Sequence, residues 1–97
     1  MDLGLKDKVA IVSGGNKGLG AAAAVRLAAE GAKVFLTARN EDDLNSVKAE
    51  IEADDGTAAI FAIDITEDAA GDKIVAAALD QFGQVDIVVS AAGAARG

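Results

Sequence analysis

Val9-Ala10-Ile11-Val12-Ser13-Gly14-Gly15-Asn16-Lys17-Gly18-Leu19-Gly20 begins as an apolar run, turns through glycine and enters the run Ala21-Ala22-Ala23-Ala24. The residues predict a buried strand over Lys8–Ser13, a tight turn, and a helix over Gly18–Glu30. In that order, unsatisfied N–H groups and the positive end of a helix dipole converge on bare backbone, which suits a phosphate. Gly14 can take the positive φ of the turn. Gly18 and Gly20 leave room for a pyrophosphate and for close helix–strand packing.

The spacing narrows the ligand. The phosphate loop of nucleoside-triphosphate enzymes needs Gly-x4-Gly-Lys-Ser/Thr; Gly15 and Gly20 have the first spacing, but Ala21-Ala22 follow. Gly-x-Gly-x-x-Gly/Ala can be laid on Gly18, Gly20 and Ala23 only by moving its first glycine too far from the strand. The natural reading is Ser13-Gly14-x3-Gly18-x-Gly20.

Outward from this turn, strand and helix alternate. Gly31 is expected to stop the first helix in left-handed conformation. Lys33–Ala38 reads as a second strand, its run Val34-Phe35-Leu36 typical of a parallel strand covered on both faces. Asn40 is expected to cap a second helix whose first turn carries Glu41, Asp42 and Asp43, with Leu44, Val47 and Ile51 facing inward and Gly56 closing it. Thr57–Ile63 reads as a third strand ending at Asp64. Thr66 is expected to cap a third helix, with Glu67 and Asp68 in its first turn, an inward stripe of Val75, Leu79 and Phe82, and a stop at Gly83. Asp86–Ser90 completes the strands.

Four strands alternating with three helices predict an α/β fold with right-handed crossovers and a parallel sheet. With strand order 3-2-1-4, the first two helices cover one face and the third covers the other, which is the N-terminal half of a doubly wound Rossmann fold. Residues 1–97 would form a single, partial dinucleotide-binding domain whose C-terminal half is absent. The fourth strand would be an edge with open backbone on its outer side.

Composition sets limits. The chain has 97 residues, 52% of them hydrophobic, with only three aromatic residues, all phenylalanine. Alanine supplies much of the apolar content, so elements can approach closely but the core is thin. The sequence has neither cysteine nor histidine, which leaves no disulfide, no zinc site of the usual ligands and no histidine-based triad. No metal site is expected. The net charge of −7 argues against nucleic acid. It also means that an anionic cofactor must be held by local donors against the overall field. The sequence shows neither the apolar core of a signal peptide nor a membrane-length apolar run, so a cytoplasmic protein without membrane partners is expected.

The glycine pattern resembles the Thr-Gly-x3-Gly-x-Gly signature of the short-chain dehydrogenases/reductases, with Ser13 in place of threonine. Further along, Asp64-Ile65 looks like the family's Asp-Val/Ile pair beside the adenine, and Phe82-Gly83-Gln84-Val85-Asp86-Ile87-Val88-Val89 resembles its entry into the fourth strand. Where the family reads Asn-Asn-Ala-Gly, this chain reads Ser90-Ala91-Ala92-Gly93, losing both asparagine amides while keeping the close approach to the nicotinamide ribose.

The resemblance implies an oxidoreductase that interconverts an alcohol and a carbonyl by hydride transfer, acting on a small molecule as a homo-oligomer when intact. The end of the second strand bears on which dinucleotide is used: an acid there would bond the ribose 2′-hydroxyl of NAD. This chain has Ala38-Arg39-Asn40, and a guanidinium suits the 2′-phosphate of NADP. Lys17 could reach the same phosphate. The cofactor-binding residues expected are Ser13, Gly14, Asn16, Lys17, Gly18, Leu19, Gly20, Arg39, Asn40, Asp64, Ile65, Ser90, Ala92 and Gly93, with NADP favoured over NAD. The family's proton relay, Tyr-x3-Lys, has no counterpart, since the sequence contains no tyrosine. No catalytic residue is therefore expected in these 97 residues, and the chain alone should be inactive. A non-catalytic dinucleotide-binding or half-domain interaction module is the alternative reading; a methyltransferase-like fold fits less well, because an acid would be expected near Ala38.

Overall fold

The strand Val9–Ser13 (β1) is buried at every position, as a strand flanked on both edges and covered on both faces must be. The computed structural model describes residues 4–14 and 18–90. Helix α1 (Gly18–Ala29) is followed by β2 (Lys33–Ala38), α2 (Glu41–Ala53), β3 (Thr57–Ala62), α3 (Ala70–Phe82) and β4 (Ile87–Ser90). The strands form one sheet in the order β3-β2-β1-β4. All three pairings are parallel, and Ser13 stands in register with Thr37 on one side and Ser90 on the other. The expected half of a doubly wound fold is the observed one.

Side-chain alternation divides the core into two layers. Val12, Val34, Leu36 and Ala58 face α1 and α2, meeting Ala24, Ala28, Leu44, Val47 and Ile51. The inner face of α1 is Gly20, Ala24 and Ala28, so small residues let its backbone lie close to the sheet. On the opposite face Ile11 and Phe35 pack against Ala70, Ile74 and Ala78 of α3. Phe82 meets the Phe35 ring edge-on at 6.4 Å between centroids, and Phe61 lies 6.3 Å from Phe35.

Helix ends follow local chemistry, with one correction. Asn40 caps α2, its Oδ1 accepting the Asp43 N–H at 3.0 Å. Gly31 adopts the left-handed conformation expected after α1, and Gly83, expected to stop α3, does so in the same conformation. Thr66, however, does not cap α3. Its N–H and Oγ1 both donate to Asp64 Oδ1, at 2.9 and 2.7 Å, which fixes a turn instead of a helix start. The chain turns again at Glu67–Ala70, and α3 begins only at Ala70, after Ala69 in left-handed conformation without a side-chain cap. Glu67 and Asp68 thus precede the helix.

The inward face of α3 also differs from expectation. Ala70, Ile74 and Ala78 are buried, while Val75 and Leu79 are 40% and 45% exposed; of the expected stripe only Phe82 joins the core. Ala70, Ile74 and Ala78 recur every four residues and share the inward face, whereas Val75 and Leu79 each follow one residue later, about a quarter-turn round the helix and toward solvent. Val88, in register with Ile11 and so on this same side, is 65% exposed along the β4 edge.

Asp86, one residue ahead of β4, ties the N-terminal ends of β1 and β4 together. Its backbone N–H donates to the Val9 carbonyl at 2.9 Å, and its Oδ2 accepts from the Val9 N–H at 2.9 Å and from Gln84 Nε2 at 2.7 Å. These donors, led by the Val9 N–H, hold the Asp86 carboxyl below its ordinary pKa, with a smaller contribution from Lys8. A depressed folded-state value means that the stabilisation is present above the unfolded pKa, about 3.9, and lost as pH falls through the folded value. Thermal unfolding of Asp86→Ala should therefore occur at a lower temperature than wild type at pH 7, with the gap narrowing as pH is lowered through 4 to 3. A gap that stays constant across that range would show that the carboxylate is not responsible.

Candidate dinucleotide site

A cleft of about 840 Å³ lies at the C-terminal end of the sheet, lined by Ser13, Gly14, Thr37, Ala38, Arg39, Asn40, Asp43, Ile63, Asp64, Ile65 and Thr66. In a parallel sheet this is where strand ends and the following loops open toward a ligand. Backbone hydrogen bonds carry the pairing into the cleft floor: the Gly14 N–H donates to the Thr37 carbonyl at 2.8 Å, and the Ile63 N–H to the Ala38 carbonyl at 2.9 Å. Beneath them, the buried hydroxyls of Ser13 and Thr37 lie 3.3 Å apart. The strand ends are therefore locked side by side.

Gly14 has φ +77° and Gly18 has φ +61°, so both ends of the glycine turn require conformations that other residues rarely adopt. A Cβ at Gly18 would meet nothing within 4 Å, so its backbone conformation rather than crowding is what favours glycine there. Arg39 reaches over the cleft, its Nη1 4.0 Å from Asp64 Oδ2, with most of its side chain exposed. The Asp64 carboxyl is held below its ordinary pKa first by the Thr66 hydroxyl and N–H, and then by Arg39. It remains an anionic acceptor in a fixed position. Ile65 is half exposed and lines the cleft, an apolar surface with nothing yet covering it.

Of the expected binding residues, Ser13, Gly14, Arg39, Asn40, Asp64 and Ile65 come together in this cleft. Gly18, Leu19 and Gly20 begin α1 outside its lining; Gly20 is buried and Leu19 is exposed. Ser90 ends β4, beside Ser13 in register and also outside the lining. Asn16, Lys17, Ala92 and Gly93 lie outside the described residues. Sequence reasoning did not include Thr37, Asp43, Ile63 or Thr66 among the site residues. Thr37 carried a signal, as a hydroxyl near the end of an otherwise apolar strand. Asp43 was read only as a helix-start carboxylate.

The model of the family described as short chain dehydrogenase matches residues 8–97. The chain belongs to the short-chain dehydrogenase family. A 2,5-dichloro-2,5-cyclohexadiene-1,4-diol dehydrogenase of Sphingobium indicum is 43% identical over 89 residues, covering 92% of this chain and 36% of that protein. Among solved structures, a metagenomic short-chain oxidoreductase in complex with NADP superposes with a TM-score of 0.82 at 37% identity, covering 87% of this chain and 38% of its own. A hydroxysteroid dehydrogenase from Escherichia coli gives a TM-score of 0.85 at 34% identity, covering 89% and 37%. This short-chain dehydrogenase chain thus spans little more than a third of the length of these relatives. Among its described residues, no helix is long and apolar enough to cross a membrane.

Proposed function

We propose that these residues form the adenosine-binding part of an NADP-dependent dehydrogenase that, when intact, interconverts an alcohol and a carbonyl. The observation that carries the cofactor choice is Arg39 over the cleft, with Ala38 where an acid would bond a 2′-hydroxyl. A guanidinium can grip a 2′-phosphate with two charge-assisted bonds. Asp64 would accept a bond from the adenine amino group, the Ile65 N–H would meet a ring nitrogen, and the exposed Ile65 side chain would cover the ring. Asn40 has its Oδ1 engaged by the helix cap, leaving its NH2 group to face a ligand. The glycine turn and the start of α1 would hold the pyrophosphate, and Ser90 with Ala92 and Gly93 would border the nicotinamide ribose.

Bound nicotinamide supplies the hydride donor or acceptor. The protein part described here orients it and contributes no proton relay, because the sequence has no tyrosine. In this reading residues 1–97 are the N-terminal half of the cofactor domain of a cytoplasmic enzyme that assembles as a homo-oligomer. Calorimetric titration of the 97-residue chain with adenosine 2′,5′-bisphosphate and with 5′-AMP tests the cofactor choice. The bisphosphate should bind about tenfold or more tightly, the range expected for a charge-assisted pair. Equal affinities would refute the NADP assignment. NADPH should not be consumed when the chain is mixed with carbonyl compounds; turnover would show that a proton relay exists within it.

A further inference from the structure

Asp43 adds a second acidic residue to the cleft lining beside Asp64. Asp43 is the third residue of α2, and its backbone N–H donates to the Asn40 cap, which fixes it in the helical turn that directly follows Arg39 and Asn40. It lines the same cleft as Arg39 and Asp64. Glu41 and Asp42, in the same helical turn, are exposed, whereas Asp43 is half-buried. Partial burial leaves its charge less screened than theirs. Among the described residues lining the cleft, one guanidinium thus stands with two carboxylates, and Asp64 already pairs with Arg39 at 4.0 Å.

We propose that Asp43 is a specificity-determining residue that opposes Arg39, limiting how strongly the cleft favours a 2′-phosphorylated adenosine over a 2′-hydroxylated one. This rests on the assignment of Arg39 to the 2′-phosphate. A 2′-phosphate brings negative charge toward Asp43 and is repelled, whereas a neutral 2′-hydroxyl is not and can donate a hydrogen bond to the carboxylate. Arg39 sets the direction of the preference, and Asp43 sets its ceiling.

The test compares wild type, Asp43→Asn and Asp42→Asn by calorimetric titration with adenosine 2′,5′-bisphosphate and with 5′-AMP. Asp43→Asn should bind the bisphosphate about three- to tenfold more tightly, with 5′-AMP unchanged or weaker, the scale of a partly screened charge interaction. The difference from wild type should shrink as salt is raised from roughly 0.05 to 0.5 M, where the screening length shortens severalfold. Asp42→Asn removes the same charge from the same helix turn but lies outside the cleft, so its ratio of affinities should match wild type. Asp43→Ser removes the charge with a different side chain and should repeat the Asp43→Asn result, which separates a charge effect from a local folding defect. An unchanged ratio in both Asp43 variants, or an equal shift in Asp42→Asn, overturns the role of Asp43. Equal affinity of wild type for the two nucleotides is a different failure, one that overturns the Arg39 assignment itself.

Discussion

Arg39→Asp is expected to reverse the nucleotide preference, taking the chain from tighter binding of NADP+ to tighter binding of NAD+. Three effects act in the same direction. The guanidinium's charge-assisted bonds to the 2′-phosphate are lost, a change of roughly 1.5–3 kcal/mol. A carboxylate at that place repels the phosphate, in a cleft that Asp43 and Asp64 already line. The same carboxylate can accept bonds from the 2′-hydroxyl of NAD. Together they should move the ratio of affinities on the order of a hundred- to a thousandfold. The substitution leaves the cleft standing, because Asp64 keeps both of its bonds from Thr66 after the ion pair is gone. Equilibrium dialysis against each dinucleotide measures the ratio. A variant that loses affinity for both equally would show that Arg39 supports the fold rather than reading the 2′ position.

The second large effect is on stability. Leu36 is fully buried at the centre of β2, in register with Val12 on one side and Ile60 on the other. Truncation to alanine should cost about 3–5 kcal/mol, the upper part of the range for such changes. The inner face of α1 is already glycine and alanine and has little side chain with which to fill the cavity. A chain of this length has roughly 5–15 kcal/mol in total, so the loss removes a large part of it. Leu36→Ala should lower the urea midpoint severely or abolish the cooperative transition at 25 °C. Val88→Ala, at the exposed edge, should change the midpoint little. Similar losses at the two sites would contradict the assignment of β2 to the centre and β4 to the edge.

The sequence was most legible where strong local signals agreed with tertiary structure. The runs in β1 and β2 are continuous because those strands are covered on both faces, and Asn40 with three acids after it marks the α2 start unambiguously. Thr66 misled because the competitor for its hydroxyl, Asp64, is two residues away and captures it in a turn. The face of α3 is less legible because apolar residues occupy two neighbouring stripes, Ala70-Ile74-Ala78 and Val75-Leu79, and the less bulky stripe is the one turned to Ile11 and Phe35. The bond from Val9 to Asp86 is invisible in the sequence for another reason: the two residues are 77 apart along the chain.

Within the cleft, six expected binding residues converge because each sits at or just beyond the end of β1, β2 or β3, where a parallel sheet of this order brings strand ends together. Asp43 escaped notice because its position in a helical first turn already explained it. Only the folded chain shows that the residue also lines the cleft.

The most direct test of the central claim is a two-dimensional amide NMR spectrum of the 97-residue chain, titrated first with NADP+ and then with NAD+. The dispersed resonances of Gly14, Gly18, Gly20, Arg39, Asp64 and Ile65 should shift together, at lower concentrations of NADP+ than of NAD+, while those of Asp86 and Val9 at the opposite end of the sheet stay in place. Shifts scattered over the sheet, or a dispersed spectrum that responds to neither dinucleotide, would contradict the assignment of this cleft as the adenosine site.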